Sequence, residues 1–584
     1  MASRYQRCGA REKPRPGENK GMNQRSGAEA FVRMLELHGV DHIFGLCGDT
    51  SLPLYDALAR HGKGIRHILT RDERSAAYMA DAYARVSSKV GVCEGPSGGG
   101  ATYILPGVVE ANESSIPLLA VTTDISVASR GRYTLTELDQ EALFRPVSKW
   151  NRVIDRAVDI PTTIRRAFRE MTTGRTGAVH LGLPFDIQND PVDETDLWAD
   201  ATFGRYPAAR LSPDGEAVAR AVAALRSAKR PLFIVGGGVV LSNAEAELLR
   251  LARLLGAPVA TTISGQGSIA DRDPLAVGVV CSNGGTPPTR AVVEAADLVV
   301  FVGCRAGSVT TERWRFPAPG KTRIVHIDID PGVVGANFPT EAAVIGDAKL
   351  ALAAIADAIE RAGAKPDGAD AAARVSAARA AKEAEYRPLA TSNDRPIKPE
   401  RLVAELAAVL PNDAVVVADP GTPCPYFSAF YPKHRTGRWF ISNRAHGALG
   451  YALPAVLGAY YGRPSSKCVA VMGDGSFGFA CGEMETIVRT GAPVTMIVVS
   501  NSVYGWIKAG QKTGYGGRYF SVDFSRTDHA AVAAAFGVKS WRVEDPAELK
   551  STLAQAVEYA GPTLVDVICQ PLQDARAPVS EWVA

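Results

Sequence analysis

Short apolar runs rich in β-branched residues alternate with helix-forming stretches along most of the chain. Examples are VGVCEG, PLFIVGGG, DLVVFVGC, RIVHIDID, KCVAVMGDG and PVTMIVVSN. These runs end at Gly, Asp or Pro, which is the pattern of buried strands in a parallel sheet. The helical stretches between them make crossover connections, so the sequence predicts an α/β fold with doubly wound parallel sheets.

Two polar, proline-containing stretches interrupt this pattern, near residues 188–216 and 361–400. A chain of 584 residues is too long for one core, so we expect these breaks to separate domains. The predicted division is a disordered N-terminal extension at 1–25, a first domain at 26–190, a linker at 191–212, a central domain at 213–360, a linker at 361–395, a third domain at 396–570 and a tail at 571–584.

Composition and charge narrow the class of protein. Hydrophobic residues make up 46% of the chain and charged residues 22%, which is typical of a globular protein. The net charge is +3, but residues 1–25 hold seven Lys and Arg against two Glu, so +5 falls there and −2 on the remainder. The predicted domains therefore carry no basic footprint, and we expect no nucleic-acid partner.

No apolar run reaches the ~18 residues of a membrane span, and the opening segment lacks the apolar core of a secretory signal. Nine cysteines without a CxxC pair favour a reducing compartment over structural zinc or disulfides. We therefore expect a cytoplasmic protein without a membrane partner. Whether residues 1–25 are a natural start, a targeting segment or an extension stays open.

The stretch KCVAVMGDGSF predicts a strand that ends at Gly473 and places Asp474 at its carboxyl end. In open α/β sheets, ligands bind at this edge of the sheet. The flanking Gly473 and Gly475 let backbone N–H groups approach phosphate oxygens, and Ser476 adds a hydroxyl. On its own, however, Gly-Asp-Gly is more often an ordinary turn.

The next predicted strand, PVTMIVVSN, brings Asn501 to the same edge. A carboxylate, a side-chain amide and a main-chain carbonyl are hard oxygen ligands, which suit Mg²⁺ bound to a phosphate. A lone Asn would be a helix cap, but an Asn one helix and one strand after Gly-Asp-Gly favours a metal–diphosphate site. The sequence has no Walker loop, which makes a nucleoside triphosphate the weaker interpretation.

This span resembles the Gly-Asp-Gly to Asn signature of thiamine diphosphate enzymes. The resemblance continues, in order, from about residue 26 to 570, through RDERSAAYMADAYARV, DQEALFRPVSKW, FIVGGGVVLS, RIVHIDIDP, DPGTPCP and NRAHGALGYALPAVLGA. The whole pattern resembles the acetolactate synthase family, whose wider superfamily includes pyruvate oxidases and 2-keto acid decarboxylases. The resemblance implies a pyrimidine-binding first domain, a central domain and a diphosphate-binding third domain.

The resemblance also implies a role for each matching residue. Glu73 falls on the catalytic glutamate, which must stay a neutral acid in a dry site to activate the coenzyme. Without the resemblance, Glu73 would be interpreted as a solvated glutamate in the first turn of a helix. Gln140 falls on an active-site glutamine. Asp474, Asn501 and the Val503 carbonyl would bind Mg²⁺. The remaining residues expected to contact the coenzyme are Gly421, Thr422, Gly447, Leu449, Gly473, Gly475 and Ser476.

In this family the catalytic glutamate and the metal aspartate come from different subunits. The resemblance therefore implies a homodimer as the minimal active unit and a homotetramer as the assembly. The central domain of relatives holds FAD, ADP or CoA, or is empty, and the sequence leaves these alternatives open. The fragment VGGGVVLS is a weak match to an NAD fingerprint, because it lacks the later glycine and the ribose acid.

Departures from the family concern the substrate. Val309 stands where synthases that join two 2-keto acids carry an Arg for the acceptor, and Gly510 stands at the acceptor-facing Trp. Trp506 and Ile507 are expected to shape that side of the pocket. The leading hypothesis is a thiamine diphosphate- and Mg²⁺-dependent lyase or carboligase acting on a 2-keto acid or related carbonyl compound.

Several alternatives to this hypothesis stay open. They are a simple 2-keto acid decarboxylase, a 2-hydroxyacyl-CoA lyase, a sulfoacetaldehyde-type acetyltransferase and, in other classes, a catalytically silent coenzyme-binding subunit or an NAD-linked oxidoreductase.

Overall fold

The computed structural model describes residues 24–363 and 369–580. Over these ranges the chain forms three parallel sheets of six strands, each flanked by helices. The predicted α/β class, with three doubly wound parallel-sheet domains, is confirmed. Most of the predicted N-terminal extension and the last four residues of the predicted tail lie outside the described ranges.

The N-terminal domain is built around the first of these sheets. Its strands are β1 (Gln24–Ser26), β2 (His42–Gly45), β3 (Arg66–Leu69), β4 (Gly91–Gly95), β5 (Leu118–Asp124), β6 (Trp150–Val153), β7 (Ala178–Pro184) and β8 (Pro191–Asp193). Its helices are α1 (Gly27–Leu37), α2 (Leu52–His61), α3 (Glu73–Ser87), α4 (Gly99–Tyr103), α5 (Leu105–Glu113), α6 (Gln140–Phe144) and α7 (Ile160–Thr172). The sheet order is β3-β2-β4-β5-β7-β6, and β1 pairs with β8 in a separate antiparallel ribbon.

The central domain follows the same plan. Its strands are β9 (Pro231–Val235), β10 (Val259–Thr261), β11 (Ala276–Val279), β12 (Leu298–Val302), β13 (Arg323–Asp328) and β14 (Ala342–Ile345). Its helices are α8 (Gly215–Ser227), α9 (Gly237–Leu241), α10 (Glu245–Leu255), α11 (Pro287–Glu294), α12 (Ser308–Thr311) and α13 (Ala348–Arg361). The sheet order is β11-β10-β9-β12-β13-β14. Helix α14 (Ala369–Ala390), in the segment predicted as the second linker, packs against α11.

The C-terminal domain carries the predicted diphosphate motif. Its strands are β15 (Val415–Ala418), β16 (Phe440–Ile441), β17 (Cys468–Gly473), β18 (Thr495–Ser500), β19 (Lys539–Val543) and β20 (Thr563–Ile568). Its helices are α15 (Pro399–Val409), α16 (Pro423–Phe430), α17 (Ala452–Gly462), α18 (Asp474–Ala480), α19 (Met484–Thr490), α20 (Gly505–Gly514), α21 (His529–Ala535) and α22 (Pro546–Glu558). The sheet order is β16-β15-β17-β18-β20-β19. Strands β17 and β18 are therefore neighbours, and their carboxyl ends meet at one edge.

The end of the described chain lies against the central domain. The Gly284 N–H donates to the Pro578 carbonyl at 2.8 Å, and the Ser580 N–H donates to the Ser282 carbonyl at 2.9 Å. Asn283 and Val579 form an antiparallel bridge between these contacts. Residues 578–580 thus hold the loop at 282–284 in place.

Helices α3 and α17 join the N-terminal and C-terminal domains of the same chain. They approach at backbone distance, because a Cβ on Gly458 of α17 would lie 2.0 Å from the Met79 carbonyl oxygen. Gly462, one turn further along α17, is equally close: a Cβ there would lie 2.4 Å from the Val86 side chain and 3.1 Å from the Tyr83 carbonyl oxygen. A larger residue at position 458 would have to separate the two helices.

Buried charges reinforce this contact. The Arg85 guanidinium donates to the Asp81 carboxylate at 2.8 Å and to the Glu110 carboxylate at 3.1 Å. All three residues are buried. The Tyr451 hydroxyl donates to Asp81, and the His446 N–H donates to Glu110 at 2.7 Å. The two carboxylates of the N-terminal domain therefore also bind the C-terminal segment that leads into α17.

Replacing Arg85 tests this network. Arg85→Met keeps an apolar stem but leaves Asp81 and Glu110 buried without a cation, and we expect it to lower the free energy of unfolding by about 3–5 kcal/mol. The measurement is chemical denaturation. A matched control is Arg387→Met, because Arg387 is 73% exposed and pairs with Glu383 on its own helix, where an ion pair contributes at most about 1 kcal/mol. Equal losses in the two variants would contradict a stabilising role for the network.

Candidate active site

A cleft of about 360 Å³ opens at the carboxyl ends of the C-terminal strands, facing the central domain. Its wall is formed by residues 420–422, 473–476 and 503–507, together with Ser282, Asn283, Val309, Arg444, Gly447 and Leu449. The cleft thus brings together nine of the predicted coenzyme-contacting residues, namely Gly421, Thr422, Gly447, Leu449, Gly473, Asp474, Gly475, Ser476 and Val503. Glu73, Gln140 and Asn501 are not part of its wall.

Asp474 links the ends of β17 and β18. Its Oδ1 accepts the Gly475 N–H at 2.9 Å, and its Oδ2 accepts the N–H groups of Asn501 and Ser502 at 2.8 and 2.6 Å. Burial raises the pKa of this carboxyl group, and the three N–H donors oppose the rise because they stabilise the charged form. The same carboxylate therefore fixes the turn after β17 and the turn after β18.

The surroundings of Asp474 fit a metal and a diphosphate. The Asn501 side-chain nitrogen is buried and has no hydrogen-bond partner within the described chain, although buried donors are almost always satisfied; this donor fits a diphosphate oxygen, whereas a metal would take the amide oxygen. A Cβ added at Gly473 or Gly421 would meet no atom within 4 Å, so the backbone faces open space at both positions. Carboxylate, amide and main-chain oxygens are a donor set that Mg²⁺ accepts.

The segment at 443–451 closes the cleft on another side. Gly447 and Gly450 have φ angles of 73° and 84°, the left-handed region that favours glycine. The Asn443 side-chain nitrogen donates to the Ala448 carbonyl at 2.7 Å across this turn. Leu449 projects from the same turn and lines the cleft.

Asp419 is a buried carboxylate behind the cleft wall, next to the lining residue Pro420, and the sequence analysis did not assign it. It follows β15, is fully buried, and its Oδ1 accepts the N–H groups of Tyr451 and Ala452 at 3.0 and 2.8 Å. Burial raises its pKa to about 7. A signal was present, because ADPG, like GDG, places an aspartate and a glycine directly after an apolar strand.

Glu73 lies outside the cleft of its own chain. It is the first residue of α3, is buried, and packs against Gly100, where an added Cβ would lie 3.2 Å from its Oε1. Burial raises the pKa of Glu73, which favours the neutral acid. The Arg74 guanidinium donates to the Phe479 carbonyl at 2.9 Å, so the start of α3 is bound to the C-terminal domain.

Gln140 is engaged within the N-terminal domain. It begins α6 and is buried, its side-chain nitrogen donates to the Thr123 carbonyl at 3.0 Å, and its oxygen accepts the Thr122 hydroxyl. Its amide is thus already paired on both sides in this chain.

A second cleft, of about 340 Å³, lies at the carboxyl ends of the central strands. Its lining comes from three strand ends. Gly237 and Gly238 follow β9, and the segment at 303–307 follows β12. Asp328 is the last residue of β13, and Asp330 lies just beyond it. The strand ends are close, because a Cβ on Gly238 would lie 2.7 Å from the Gly303 Cα. This is the edge at which doubly wound sheets bind ligands.

Three family models match the chain, one for each domain. They are described as the N-terminal TPP binding domain of thiamine pyrophosphate enzymes at 25–143, their central domain at 218–355 and their C-terminal TPP binding domain at 419–567. The chain belongs to the thiamine pyrophosphate enzyme family. Thiamine pyrophosphate is the thiamine diphosphate of the sequence analysis, and the prediction of this coenzyme is confirmed.

Similar proteins narrow the type within the family. The chain is 35% identical to a probable acetolactate synthase large subunit from Methanococcus aeolicus, over 94% of this chain and 92% of the relative. It is 32% identical to the acetolactate synthase large subunit of Parasynechococcus marenigrum, over 93% and 87%, and 31% identical to that of isozyme 3 from Escherichia coli, over 92% and 93%. The predicted acetolactate synthase-like lyase or carboligase is confirmed at this level.

Within residues 24–363 and 369–580, no helix is long and apolar enough to cross a membrane.

Proposed function

We propose that this thiamine pyrophosphate enzyme is a Mg²⁺-dependent carboligase that uses a 2-keto acid as donor. The observation that carries the proposal is the Asp474 carboxylate, which joins the ends of β17 and β18 beside open glycine backbone and the unpartnered Asn501 amide. The similarity to acetolactate synthase large subunits supports the carboligase type over a simple decarboxylase.

Each part of the cleft has a task in this proposal. Asp474, Asn501 and the Val503 carbonyl hold Mg²⁺, and the backbone N–H groups at 473–476 and the Ser476 hydroxyl hold the diphosphate beside Gly421 and Thr422. When bound, thiamine diphosphate supplies the carbon nucleophile that attacks the keto group. Gly447 and Leu449 orient the pyrimidine ring, which fixes the reacting groups in one geometry.

Glu73 completes the site from a second copy of the chain. Its carboxylic acid, kept neutral by burial, donates a hydrogen bond to a pyrimidine nitrogen, and Gln140 lies on the same domain near the substrate. The proposal of a homodimer, assembled further into a homotetramer, is supported by the absence of Glu73 from the cleft of its own chain.

The cleft of the central domain is proposed to bind a nucleotide cofactor, FAD, ADP or CoA. Its glycine-rich strand ends allow close approach of phosphate groups, and Arg175 and Arg305 line it with positive charge.

We also propose a cytoplasmic location, since the eight described cysteines are all free thiols, the state that a reducing compartment maintains.

The first test measures the reaction of purified protein with pyruvate, Mg²⁺ and thiamine diphosphate. We expect CO₂ release together with acetolactate or another condensation product. Acetaldehyde as the only carbon product would replace the carboligase with a decarboxylase. No turnover would contradict pyruvate as donor and direct the assay to acyl-CoA and sulfonated substrates.

Two variants in this assay separate activation of the coenzyme from its binding. Glu73→Gln should retain coenzyme affinity and lower turnover by about 10²- to 10⁴-fold, because an amide cannot exchange the proton. Asp474→Asn should weaken coenzyme binding by more than about tenfold, a loss usual even for outer-shell partners of a metal. Glu485→Gln, a surface change, is the control. Unchanged turnover in Glu73→Gln would refute its assigned role.

Mixing these inactive variants tests the dimer. If each site takes Glu73 from one chain and Asp474 from the other, a mixed dimer has one intact site and one site with both changes. Dissociating and reassociating equal amounts should then restore about a quarter of wild-type activity, since half of the dimers are mixed. No recovery, with mixed dimers demonstrated by mass spectrometry, would mean that both residues act within one chain.

The central cleft is tested by releasing its ligand. Protein purified without added nucleotide is denatured, and the released compound is identified by flavin absorbance and mass spectrometry. Gly307→Val should lower the bound nucleotide per chain, because a Cβ at Gly307 meets no atom within 4 Å and Gly307 lines the cleft. Gly215→Val, at an equally open glycine outside the cleft, is the matched control. Equal nucleotide content in both variants would contradict this site.

A further inference from the structure

The active-site cleft contains an arginine to which the proposed function assigns no role. Among the described residues that line this cleft, Arg444 is the one cationic side chain and Asp474 the one carboxylate. Asp474 lies in the turn after β17, whereas Arg444 lies on the segment leading to Gly447 and faces the central domain. The cleft therefore has a positive charge on a wall separate from the diphosphate motif.

The guanidinium of Arg444 has no acidic partner. It takes part in none of the ion pairs formed between residues in 24–363 and 369–580. Its Nε is buried without a hydrogen-bond acceptor. The Asn283 side-chain amide is oriented with its oxygen toward Arg444, and the two Nη atoms then lie 3.0 and 3.3 Å from that oxygen. A guanidinium has five N–H donors, so most of its donor capacity is unused.

The wall opposite Arg444 is firmly held and carries no charge. Asn283 lies in the loop that residues 578–580 hold, and the Ser282 N–H donates to the Val309 carbonyl at 2.9 Å. Ser282, Asn283 and Val309 all line the cleft. A ligand that enters here meets a neutral amide, a hydroxyl, an apolar side chain and one unpaired cation.

We propose that Arg444 binds the carboxylate of the acceptor, which makes the acceptor a 2-keto acid rather than a neutral aldehyde. This inference rests on the proposed carboligase function. The donor is the poorer candidate for this contact, because its carboxylate leaves as CO₂, and an ion pair that stabilises it would stabilise the ground state. The acceptor keeps its carboxylate in the product, so the same ion pair can hold it throughout the reaction.

Two other anions compete for this assignment. Arg444 also lines the central cleft, where a nucleotide phosphate is proposed, and the coenzyme diphosphate enters the same active-site cleft. Removing the charge of Arg444 distinguishes the three. If Arg444 binds the nucleotide phosphate, nucleotide content falls; if it binds the diphosphate, coenzyme affinity falls. If it binds the acceptor carboxylate, affinity for the acceptor falls.

The experiment compares wild type, Arg444→Gln and Arg444→Lys with pyruvate as donor and two acceptors, 2-ketobutyrate and benzaldehyde. For Arg444→Gln we expect the KM for 2-ketobutyrate to rise about 10- to 100-fold, the loss typical of a charged hydrogen bond. The KM for benzaldehyde should change less than about twofold, because it has no carboxylate. Arg444→Lys should recover part of the loss, since it keeps the charge but not the planar fork.

Arg435→Gln is the matched control, because Arg435 is 54% exposed and lies outside both clefts. Thermal midpoint, thiamine diphosphate affinity and nucleotide content are measured for every variant. Equal rises in KM for both acceptors would overturn the proposal, as would a loss confined to coenzyme affinity or to nucleotide content. Failure of wild type to release CO₂ from any 2-keto acid would refute the proposed function itself, whereas CO₂ release with condensation onto benzaldehyde alone would refute only the role of Arg444.

Discussion

The close packing of α3 on α17 is the contact on which the rest of the site depends. Gly458 allows the two backbones to meet, and the buried Asp81–Arg85–Glu110 network then fixes the direction of both helices. One end of α3 carries Glu73, while Glu110 of α5 binds the segment that carries Gly447 and Leu449. A shift between these helices would therefore move the proposed coenzyme contacts of two domains together.

Three buried carboxyl groups belong to the proposed site, and of these three Asp474 alone lines the cleft of its own chain. Asp419, Asp474 and Glu73 are carboxyl groups withdrawn from water, which raises the pKa of each, but their partners differ. Asp474 receives three backbone N–H groups, which favour its charged form, whereas Glu73 packs against glycine backbone. This difference in partners agrees with the roles proposed for them, metal binding by Asp474 and proton donation by Glu73.

Much of the fold was predictable because parallel strands leave a strong local signal. The runs ending at Gly473 and just before Asn501 are continuous and apolar, and they form the neighbouring strands β17 and β18. The meeting of Asp474 with the backbone of Asn501 follows from that adjacency. The functional roles of these residues, and those of Glu73 and Gln140, remain predictions that rest on the family resemblance.

Arg444 had no such local signal, and the strand-end signal at Asp419 did not reveal what the carboxylate binds. Nothing in the local sequence reveals that Arg444 faces Asn283, which lies 161 positions earlier in another domain. Asp419 becomes a buried acceptor only because the start of α17 reaches it. The position of Arg444 depends on which surfaces two domains turn toward each other, and that of Asp419 on how a helix packs within its own domain; periodicity carries no information about either.

The contact between residues 578–580 and the loop at 282–284 bears on the order in which the site can form. The central sheet is complete in sequence by β14, so this domain can fold before the C-terminal domain has been synthesised. Its loop with Asn283 nevertheless obtains its last backbone hydrogen bonds from a segment made about 300 residues later. The wall of the cleft around Asn283 is therefore among the last parts of the molecule to become ordered during synthesis.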